Sequence, residues 1–393
     1  MENNDAKHIN LLVAVSACFY MILLGVNSFV NVFITNTSLD SIALYGVYAL
    51  VIAAAFPSLL KEKNIRHFVA YFIFVFLSAV SILFYGYGAI GKNVVNFLLT
   101  VAPFIFVGAS ITDTGSLEKY FRVFAFMTAA AAAMHIVGNF IMGFIYVHDM
   151  TSAYSVLPAA IMALYYMFHN KKKLIYVLLN IIFFIEILYM GVRGAIVVYF
   201  VCILVSLLYF SKSFKTKIIT AMAFAVTAVL YFDGTIENGI IEVNSKLVAL
   251  GIINGAIKRL LEGTITDDSG RNAITQKVMG AVKEHPVVGN GIFSDRVLLG
   301  NNDYTHNLIS EVLMDFGIIF GTIALVVFAF YLIRLFYLAR KDSFRFMFLL
   351  SLAALSVGQL LVSGSYLEEP FFFMLIGVMM NSRFFPKKKR RTG

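Results

Sequence analysis

Three basic side chains, Arg193, Arg271 and His306, are the residues of this sequence best suited to chemistry on an anionic substrate. A guanidinium group is planar and always charged, so it can bind a phosphate through two parallel hydrogen bonds. A neutral histidine can accept a proton from a hydroxyl group near neutral pH. These residue types together indicate an anion-binding site with a general base.

Each of the three residues also has an ordinary structural interpretation, which the sequence alone leaves open. Arg193 could extend its charge from an apolar helix to the membrane interface. Arg271 could form a salt bridge with Asp267 or Asp268. His306 could make a structural hydrogen bond, as most single histidines do.

Arg193 lies in the stretch YMGVRGAIVV, between Gly191 and Gly194. Glycines would let a bulky ligand approach the backbone. Glu186 precedes Arg193 by seven residues, about two helical turns, and helical periodicity would place both on one face. We therefore expect Glu186 to orient this arginine or to line a cavity, with a packed, protonated carboxylic acid as the alternative.

The other two residues belong to a polar stretch, 234–307, which predicts two helices and a tight turn. Residues 245–263 form an amphipathic pattern typical of a helix lying on a membrane. A second helix should begin at Asp268 or Ser269, place Arg271 in its first turn and end before Pro286. Its N-terminal N–H groups would also favour an anion. The turn then contains Gly289 and Gly291, and His306 follows between Thr305 and Asn307, which could hydrogen-bond its ring or the substrate.

The composition shows that the polar stretch belongs to an integral membrane protein. Hydrophobic residues make up 60% of the 393 residues and charged residues only 13%, whereas soluble domains contain about 45–50% apolar residues. Runs of about 20 apolar residues predict spanning helices. We therefore predict an all-α membrane protein with about twelve spans, over residues 9–30, 41–60, 67–87, 93–111, 119–146, 152–169, 173–190, 194–210, 216–233, 308–335, 346–363 and 370–385.

The distribution of lysine and arginine predicts the orientation of these spans. With a cytoplasmic N-terminus, 22 of the 31 basic residues fall on the cytoplasmic side, as the positive-inside rule requires. Both termini are then cytoplasmic, and the loop is extracytoplasmic. The predicted organisation is spans one to nine in 1–233, an extracytoplasmic catalytic loop in 234–307, spans ten to twelve in 308–385 and a basic cytoplasmic tail in 386–393. Such a tail is typical of an anchor near anionic lipid, so we expect no nucleic-acid partner.

The sequence contains no pattern typical of a metal or nucleotide site. The acidic residues of the loop are scattered. There is no phosphate-binding Gly-rich loop, dinucleotide fingerprint or Gly-x-Ser-x-Gly motif. We therefore expect neither a metal nor a cofactor.

The order of these motifs resembles that of the bacterial O-antigen polymerase and O-antigen ligase superfamily. The resemblance rests on Gly-Val-Arg-Gly in a short loop, then Ser-Gly-Arg, His-Pro-Val-Val-Gly-Asn-Gly and Thr-His-Asn in a large one, and LISEVLMDFGIIFG. It is strongest from about Met190 to Gly321. Many relatives carry a tryptophan shortly after the loop arginine, whereas this chain contains none.

The resemblance implies a metal-independent, inverting glycosyltransferase of the C type in the bacterial cytoplasmic (inner) membrane. The donor and the acceptor would both be glycans on undecaprenyl diphosphate, used at the outer leaflet. The resemblance makes Arg193 and Arg271 diphosphate ligands and His306 the catalytic residue, with Glu186, Thr305, Asn307, Gly289 and Gly291 in supporting roles. A chain-length regulator protein is a candidate partner.

Three functions remain open. We favour a polymerase of O-antigen or capsule type, which joins a growing lipid-linked glycan to a new lipid-linked repeat unit. A ligase would instead transfer the finished glycan to a terminal acceptor. A flippase for lipid-linked glycans is less favoured, because it predicts pseudo-symmetric halves, and the polarity of this chain lies in one late loop.

Overall fold

The structure is a computed structural model of the whole chain, and most of its described part is helical. It describes residues 10–17, 46, 48–55, 65–142, 150–190, 192–249, 271–300, 303–381 and 383–385. Within these ranges there is no β-strand. The all-α fold class is therefore confirmed.

The described residues fall into two compact units. One lies within Met1–Met21, Thr35–Phe124 and Arg271–Gly393, and we call it the first unit. The described part of the second unit lies within Ala125–Gly270. The predicted loop 234–307 thus contributes residues to both units.

Sixteen α-helices follow residue 64 in the described ranges, numbered here in chain order. Before residue 150 they are α1 Ile65–Tyr85, α2 Tyr87–Asn96, α3 Phe104–Ser110 and α4 Thr114–Met142. Up to residue 249 they are α5 Met150–Ser155, α6 Leu157–His169, α7 Lys173–Met190, α8 Arg193–Phe210, α9 Phe214–Phe232 and α10 Thr235–Ala249. After residue 270 they are α11 Arg271–Glu284, α12 Ser294–Leu299, α13 Leu308–Ala339, α14 Ser343–Ala353, α15 Gln359–Val362 and α16 Pro370–Met380.

Seven described helical stretches are long and apolar enough to cross a membrane: Ile65–Tyr85, Tyr87–Ser110, Thr114–Val137, Lys173–Met190, Arg193–Phe210, Leu308–Ala339 and Ser343–Val362. Each overlaps a predicted run. Two further runs correspond to shorter apolar helices, Ala153–His169 and Pro370–Met380. The protein is therefore a multi-pass membrane protein. The total of twelve spans stays a prediction, since most of runs 9–30 and 41–60 lies outside the described residues.

Two of the predicted spans contain a π-helical turn that joins shorter helices. Phe97–Val101 connects α2 to the segment before α3, and Ala354–Gly358 connects α14 to α15. Because a π turn bonds each residue to the fifth one before it, it inserts an extra residue into the helix. The second turn matters for the candidate site, because the last carbonyl groups of α15 accept hydrogen bonds from Arg271 and Asn307.

Small residues allow a close helix contact in the first unit, between α3 and α16. A Cβ atom at Gly108 would collide with the carbonyl oxygen of Met374, and one at Gly377 would collide with that of Ile105. Membrane helices often associate through such small residues, because lipid gives no hydrophobic driving force between helices. The tight contact thus fixes α16 against α3 without large side chains between them.

The helices of the predicted loop agree in part with the sequence interpretation. Helix α11 begins at Arg271 and ends at Glu284, so Arg271 lies in the first turn and the helix ends before Pro286, as predicted. Helix α10 covers the beginning of the predicted amphipathic helix 245–263. The rest of that helix, and Asp268 and Ser269, lie outside the described residues.

Candidate functional site

Arg271 is tied to the end of a membrane helix. Its Nη1 donates a 2.8 Å hydrogen bond to the carbonyl oxygen of Val362, the last residue of α15. Carbonyl groups at a helix C-terminus lack an intrahelical donor, so an arginine is a suitable partner for them. This bond uses one of the five N–H groups of the guanidinium. The alternative partners Asp267 and Asp268 lie outside the described residues.

Asn307 binds the same helix end, through the carbonyl group of the residue before Val362. Its Nδ2 donates a 3.0 Å hydrogen bond to the carbonyl oxygen of Leu361. Its Oδ1 accepts from the backbone N–H groups of Ile309 and Ser310, and thereby caps the N-terminus of α13. Asn307 therefore joins the beginning of α13 to the end of α15, beside the carbonyl group that Arg271 binds.

His306 is held in an unusual backbone conformation between two anchored residues. Its φ is 54°, in the left-handed region that residues with a side chain rarely adopt. The N–H of Thr305 donates to Oδ2 of Asp295 at 3.3 Å, and Asn307 is fixed as described. The Thr305 hydroxyl lies 3.4 Å from the carbonyl oxygen of Asn307. The side chains of Thr305 and Asn307 therefore bond to backbone carbonyl groups, and a hydrogen bond from either of them to the substrate stays a prediction.

The imidazole of His306 has the properties of a proton acceptor. The side chain is half-buried, its ring centroid lies 4.1 Å from that of Tyr304, and its buried Nδ1 has no hydrogen-bond partner among the described residues. Burial and the positive charge of Arg271 lower its pKa from the ordinary value of 6.5. The ring is therefore neutral near pH 7, and a neutral ring carries a free lone pair.

Arg271 and His306 lie in the same part of the first unit, because Arg271 and Asn307, the neighbour of His306, bind adjacent carbonyl groups. Arg271 is the charged group that acts most strongly on the pKa of His306, and it also acts on the neighbouring Tyr304. The contacts with Val362 and Leu361 explain this proximity, since they bring the beginnings of α11 and α13 to one helix end. A guanidinium and a neutral imidazole thus share one polar region of the first unit.

Beside this region lies a buried ion cluster that the sequence interpretation missed. The side chain of Arg296 is only 2% exposed. Its Nη1 lies 2.5 Å from Oδ2 of Asp295 and 3.0 Å from Oε1 of Glu311. Its Nη2 donates to the Ser365 hydroxyl at 2.5 Å and lies 3.2 Å from Oε1 of Glu368. We call these five residues the Arg296 cluster.

The acids of the Arg296 cluster stabilise its charged guanidinium. Burial opposes the charged form of Arg296, but the carboxylates of Asp295 and Glu311 outweigh it and raise the pKa of the guanidinium. The hydroxyl of Ser365 also donates to Glu311, whose other oxygen accepts the N–H of Tyr366 at 3.0 Å. In the described ranges no group of three or more His, Cys, Asp or Glu side chains is arranged to hold a metal ion.

A signal for this cluster was present in the sequence. Glu311 and Asp315 are one helical turn apart at the beginning of an apolar run. Buried acids in a membrane helix need a partner, and Asp315 finds one in the Tyr366 hydroxyl at 2.6 Å. For Arg296 there was no such signal. The residues next to it in the sequence do not indicate that its side chain is buried.

Gly289 and Gly291 support the backbone beneath this site. The backbone N–H of Gly291 donates to the carbonyl oxygen of Asp315 at 2.9 Å. A kink in α13 at Gly317, whose φ is 75°, removes the regular helical donor of that carbonyl group. Gly289, with a φ of 72°, approaches Gly317 so closely that a Cβ atom would collide with its backbone nitrogen. In the structure Gly289 therefore allows close backbone packing, and Gly291 contributes a backbone hydrogen bond.

Arg193 and Glu186 belong to the second unit and lie on different helices. Helix α7 ends at Met190, and α8 begins at Arg193 after Val192, whose backbone is extended. The expectation that helical periodicity places both residues on one face was therefore wrong, since the helix does not continue between them. Oε1 of the buried Glu186 lies 2.6 Å from Nδ1 of His135. Arg193 is half-buried in the first turn of α8, where helix N–H groups point towards the preceding loop.

Comparison with known proteins adds to this geometry. Residues 178–326 match the model of a family described as O-antigen ligase. This range begins in α7, ends in α13 and contains Arg193, Arg271, Arg296 and His306. A search of curated proteins finds no match. The match confirms the resemblance recognised in the motifs, and residues 178–326 of this chain carry a domain of the O-antigen polymerase and ligase superfamily.

Proposed function

We propose that this protein is a polysaccharide polymerase of the O-antigen or capsule type. It would transfer a glycan from undecaprenyl diphosphate to a lipid-linked repeat unit at the outer leaflet of the inner membrane. The observation that carries the proposal is geometric: Arg271 and Asn307, the residue after His306, donate to adjacent carbonyl groups of one helix end, which brings a guanidinium and an imidazole into one polar region. The family match supports lipid-linked glycans as the class of substrate.

The reaction requires charge stabilisation on one side of the sugar and a base on the other. As the bond between the anomeric carbon and the diphosphate oxygen breaks, negative charge grows on the leaving diphosphate. Arg271 and Arg193 would stabilise that charge through paired N–H groups. The diphosphate is an activated leaving group, so the transfer needs no ATP.

His306 would act on the acceptor. The acceptor hydroxyl attacks the anomeric carbon from the face opposite the diphosphate, so the configuration inverts. Its proton passes to a nitrogen of the His306 ring, and the new glycosidic bond forms with the electron pair of the oxygen. The lowered pKa of His306 suits this role, because the base must be unprotonated before each transfer.

A ligase is the second candidate, and the description of the matching family favours it. It would perform the same chemistry with a terminal acceptor, such as the lipid A core or a protein, in place of the lipid-linked repeat. The residues of the site do not distinguish the two acceptors, because both present a hydroxyl or similar nucleophile to the same base. The two activities are therefore distinguished by their glycan products.

Glycan analysis of a deletion strain tests the proposal. For a polymerase, deletion should remove long glycans and leave single repeat units on the terminal acceptor. Full-length polymer accumulating on undecaprenyl diphosphate would identify a ligase instead. Restoration of the wild-type pattern by the intact gene, but not by a His306→Ala variant, would assign the activity to this site.

A further inference from the structure

We propose that Arg296 and Asp295 are positioning residues that hold His306 in its reactive place. This inference rests on the proposed function, since it concerns the same proton transfer. The two residues contact no substrate. They act through the backbone of residues 300–307, between α12 and α13, which we call the His306 segment, and through their charges, which affect the imidazole.

A continuous chain of contacts leads from Arg296 to His306. The guanidinium binds Oδ2 of Asp295 at 2.5 Å, and the same oxygen accepts the backbone N–H of Thr305 at 3.3 Å. Thr305 directly precedes His306, whose φ of 54° needs outside support because a left-handed residue with a side chain is strained. Asp295 thus fixes one end of the strained residue.

The Arg296 cluster also connects three separate segments around His306. Asp295 and Arg296 belong to α12, Glu311 belongs to the first turn of α13, and Ser365 and Glu368 lie between α15 and α16. The buried side chain of Arg296 contacts the second and third of these segments directly. The His306 segment joins the first two, so a shift of Arg296 would displace the imidazole.

Two charged residues of the cluster, Arg296 and Asp295, also act on the imidazole ring. The carbon of the Arg296 guanidinium lies 5.6 Å from the centre of the Tyr304 ring, which in turn packs against His306. The charged groups that act on the pKa of His306 are Arg271 of α11, Asp303 of the same loop, and Arg296 and Asp295 of α12. The two arginines lower this pKa and the two acids raise it.

These opposite effects on the pKa of His306 allow a test that distinguishes a positioning role from a merely structural one. The proton-accepting form of His306 is the neutral one, so activity should fall as pH decreases through its pKa. Replacing Asp295 by asparagine removes a charge that raises this pKa, so the acid limb of the kcat/KM profile should move to lower pH. Replacing Arg296 by glutamine removes a charge that lowers it, so the limb should move to higher pH. Shifts on the order of 0.5–1 pH unit are expected.

The experiment uses purified full-length protein and a lipid-linked repeat unit, with initial rates measured per folded molecule. Asp295→Asn should also reduce kcat by roughly 10- to 100-fold, because a small displacement of the base is costly, while KM for the donor stays near the wild-type value. If Arg296→Gln does not accumulate because two buried acids lose their partner, Asp295→Asn decides alone.

The chain offers a matched control in Asp342 and Arg345. Asp342 accepts the backbone N–H of Arg345 at 3.0 Å and binds its guanidinium at 2.7 Å, as Asp295 does with Arg296 at 2.9 and 2.5 Å. That pair lies at the beginning of α14, outside the His306 segment. Asp342→Asn should therefore leave the acid limb and kcat unchanged.

Two results separate the inference from the function on which it rests. A wild-type acid limb and wild-type kcat in Asp295→Asn would overturn the positioning role, even if His306 is essential. Full activity of His306→Ala would instead overturn His306 as the base, and the proposed mechanism with it.

Discussion

Arg271 and Asn307 donate hydrogen bonds to neighbouring carbonyl groups, those of Val362 and Leu361, at 2.8 and 3.0 Å. The two donors are far apart in the sequence, and each lies at the beginning of a helix. One helix end, that of α15, therefore aligns the beginnings of α11 and α13. This alignment places the charge of Arg271 near the imidazole of His306.

We predict that Arg271→Lys impairs transfer without loss of protein. Lysine can still donate to Val362, but it cannot form the planar pair of bonds with a phosphate. A charge-assisted hydrogen bond contributes roughly 1.5–3 kcal/mol, equivalent to about a 10- to 150-fold loss of rate. Lys277, exposed on the same helix, provides the control, since Lys277→Gln should be fully active. The rate of product-ladder formation with purified protein measures both.

Arg193→Lys should lose activity to a similar extent, if Arg193 also binds the diphosphate. The expected loss is again about 10- to 150-fold, from the same contact energy. Binding of a radiolabelled lipid-linked donor should weaken in parallel, since the contact is made to the leaving group. Wild-type donor binding and rate in this variant would mean that Arg193 only extends to the membrane interface.

His306→Gln should abolish most activity while donor binding survives. Glutamine keeps the size and a donor group but cannot accept and carry the proton, so the rate should fall by about 10²–10⁴-fold. In the wild-type protein, the acid limb of the rate profile should have its midpoint below pH 6.5, because burial and Arg271 lower the pKa of His306. A fully active glutamine variant would show that His306 only orients the sugar.

Gly289→Ala should destabilise the protein. Its φ of 72° is left-handed, which costs a residue with a Cβ atom about 1–2 kcal/mol, and the new atom would collide with the backbone of Gly317. A Cβ atom added to Gly280 in α11 would meet no other atom within 4 Å, so Gly280→Ala should be neutral or slightly stabilising. Thermal inactivation in detergent compares the two variants, and equal midpoints would contradict the role assigned to Gly289.

The predicted topology can be tested by cysteine labelling in intact cells. A cysteine introduced at residue 302 should react with a membrane-impermeant reagent without lysis, and one introduced at Arg391 should react only after lysis. The reason is the excess of lysine and arginine on the side assigned to the cytoplasm. Labelling of residue 302 only in lysed cells would place the polar segment on the cytoplasmic side and exclude a reaction at the outer leaflet.

The sequence by itself determined the class of fold and the chemical types of the candidate residues. Apolar runs of spanning length predict helices in a membrane, because backbone polar groups must bond within each segment there. The position of Arg271 in the first turn of α11 was predictable, because residue types that favour helix caps precede Arg271 in the sequence and Pro286 follows the helix. The superfamily was recognisable because its motifs keep their residue types and their order.

Periodicity, in contrast, did not predict the hydrogen-bond partner of Glu186. A helical pattern in the sequence does not show that α7 ends at Met190, before Arg193. The partner that Glu186 finds, His135, lies on α4, far away in the sequence. Only the packing of helices in the second unit decided this contact.

Only the tertiary structure, likewise, decided which residues of the polar segment meet. The burial of Arg296 depends on Glu311, Ser365 and Glu368, which come from distant parts of the chain. The left-handed conformation of His306 depends on contacts that hold its two neighbours from other segments. Long-range contacts of this kind leave no local pattern in the sequence, because the partners of a buried charge can come from any part of the chain.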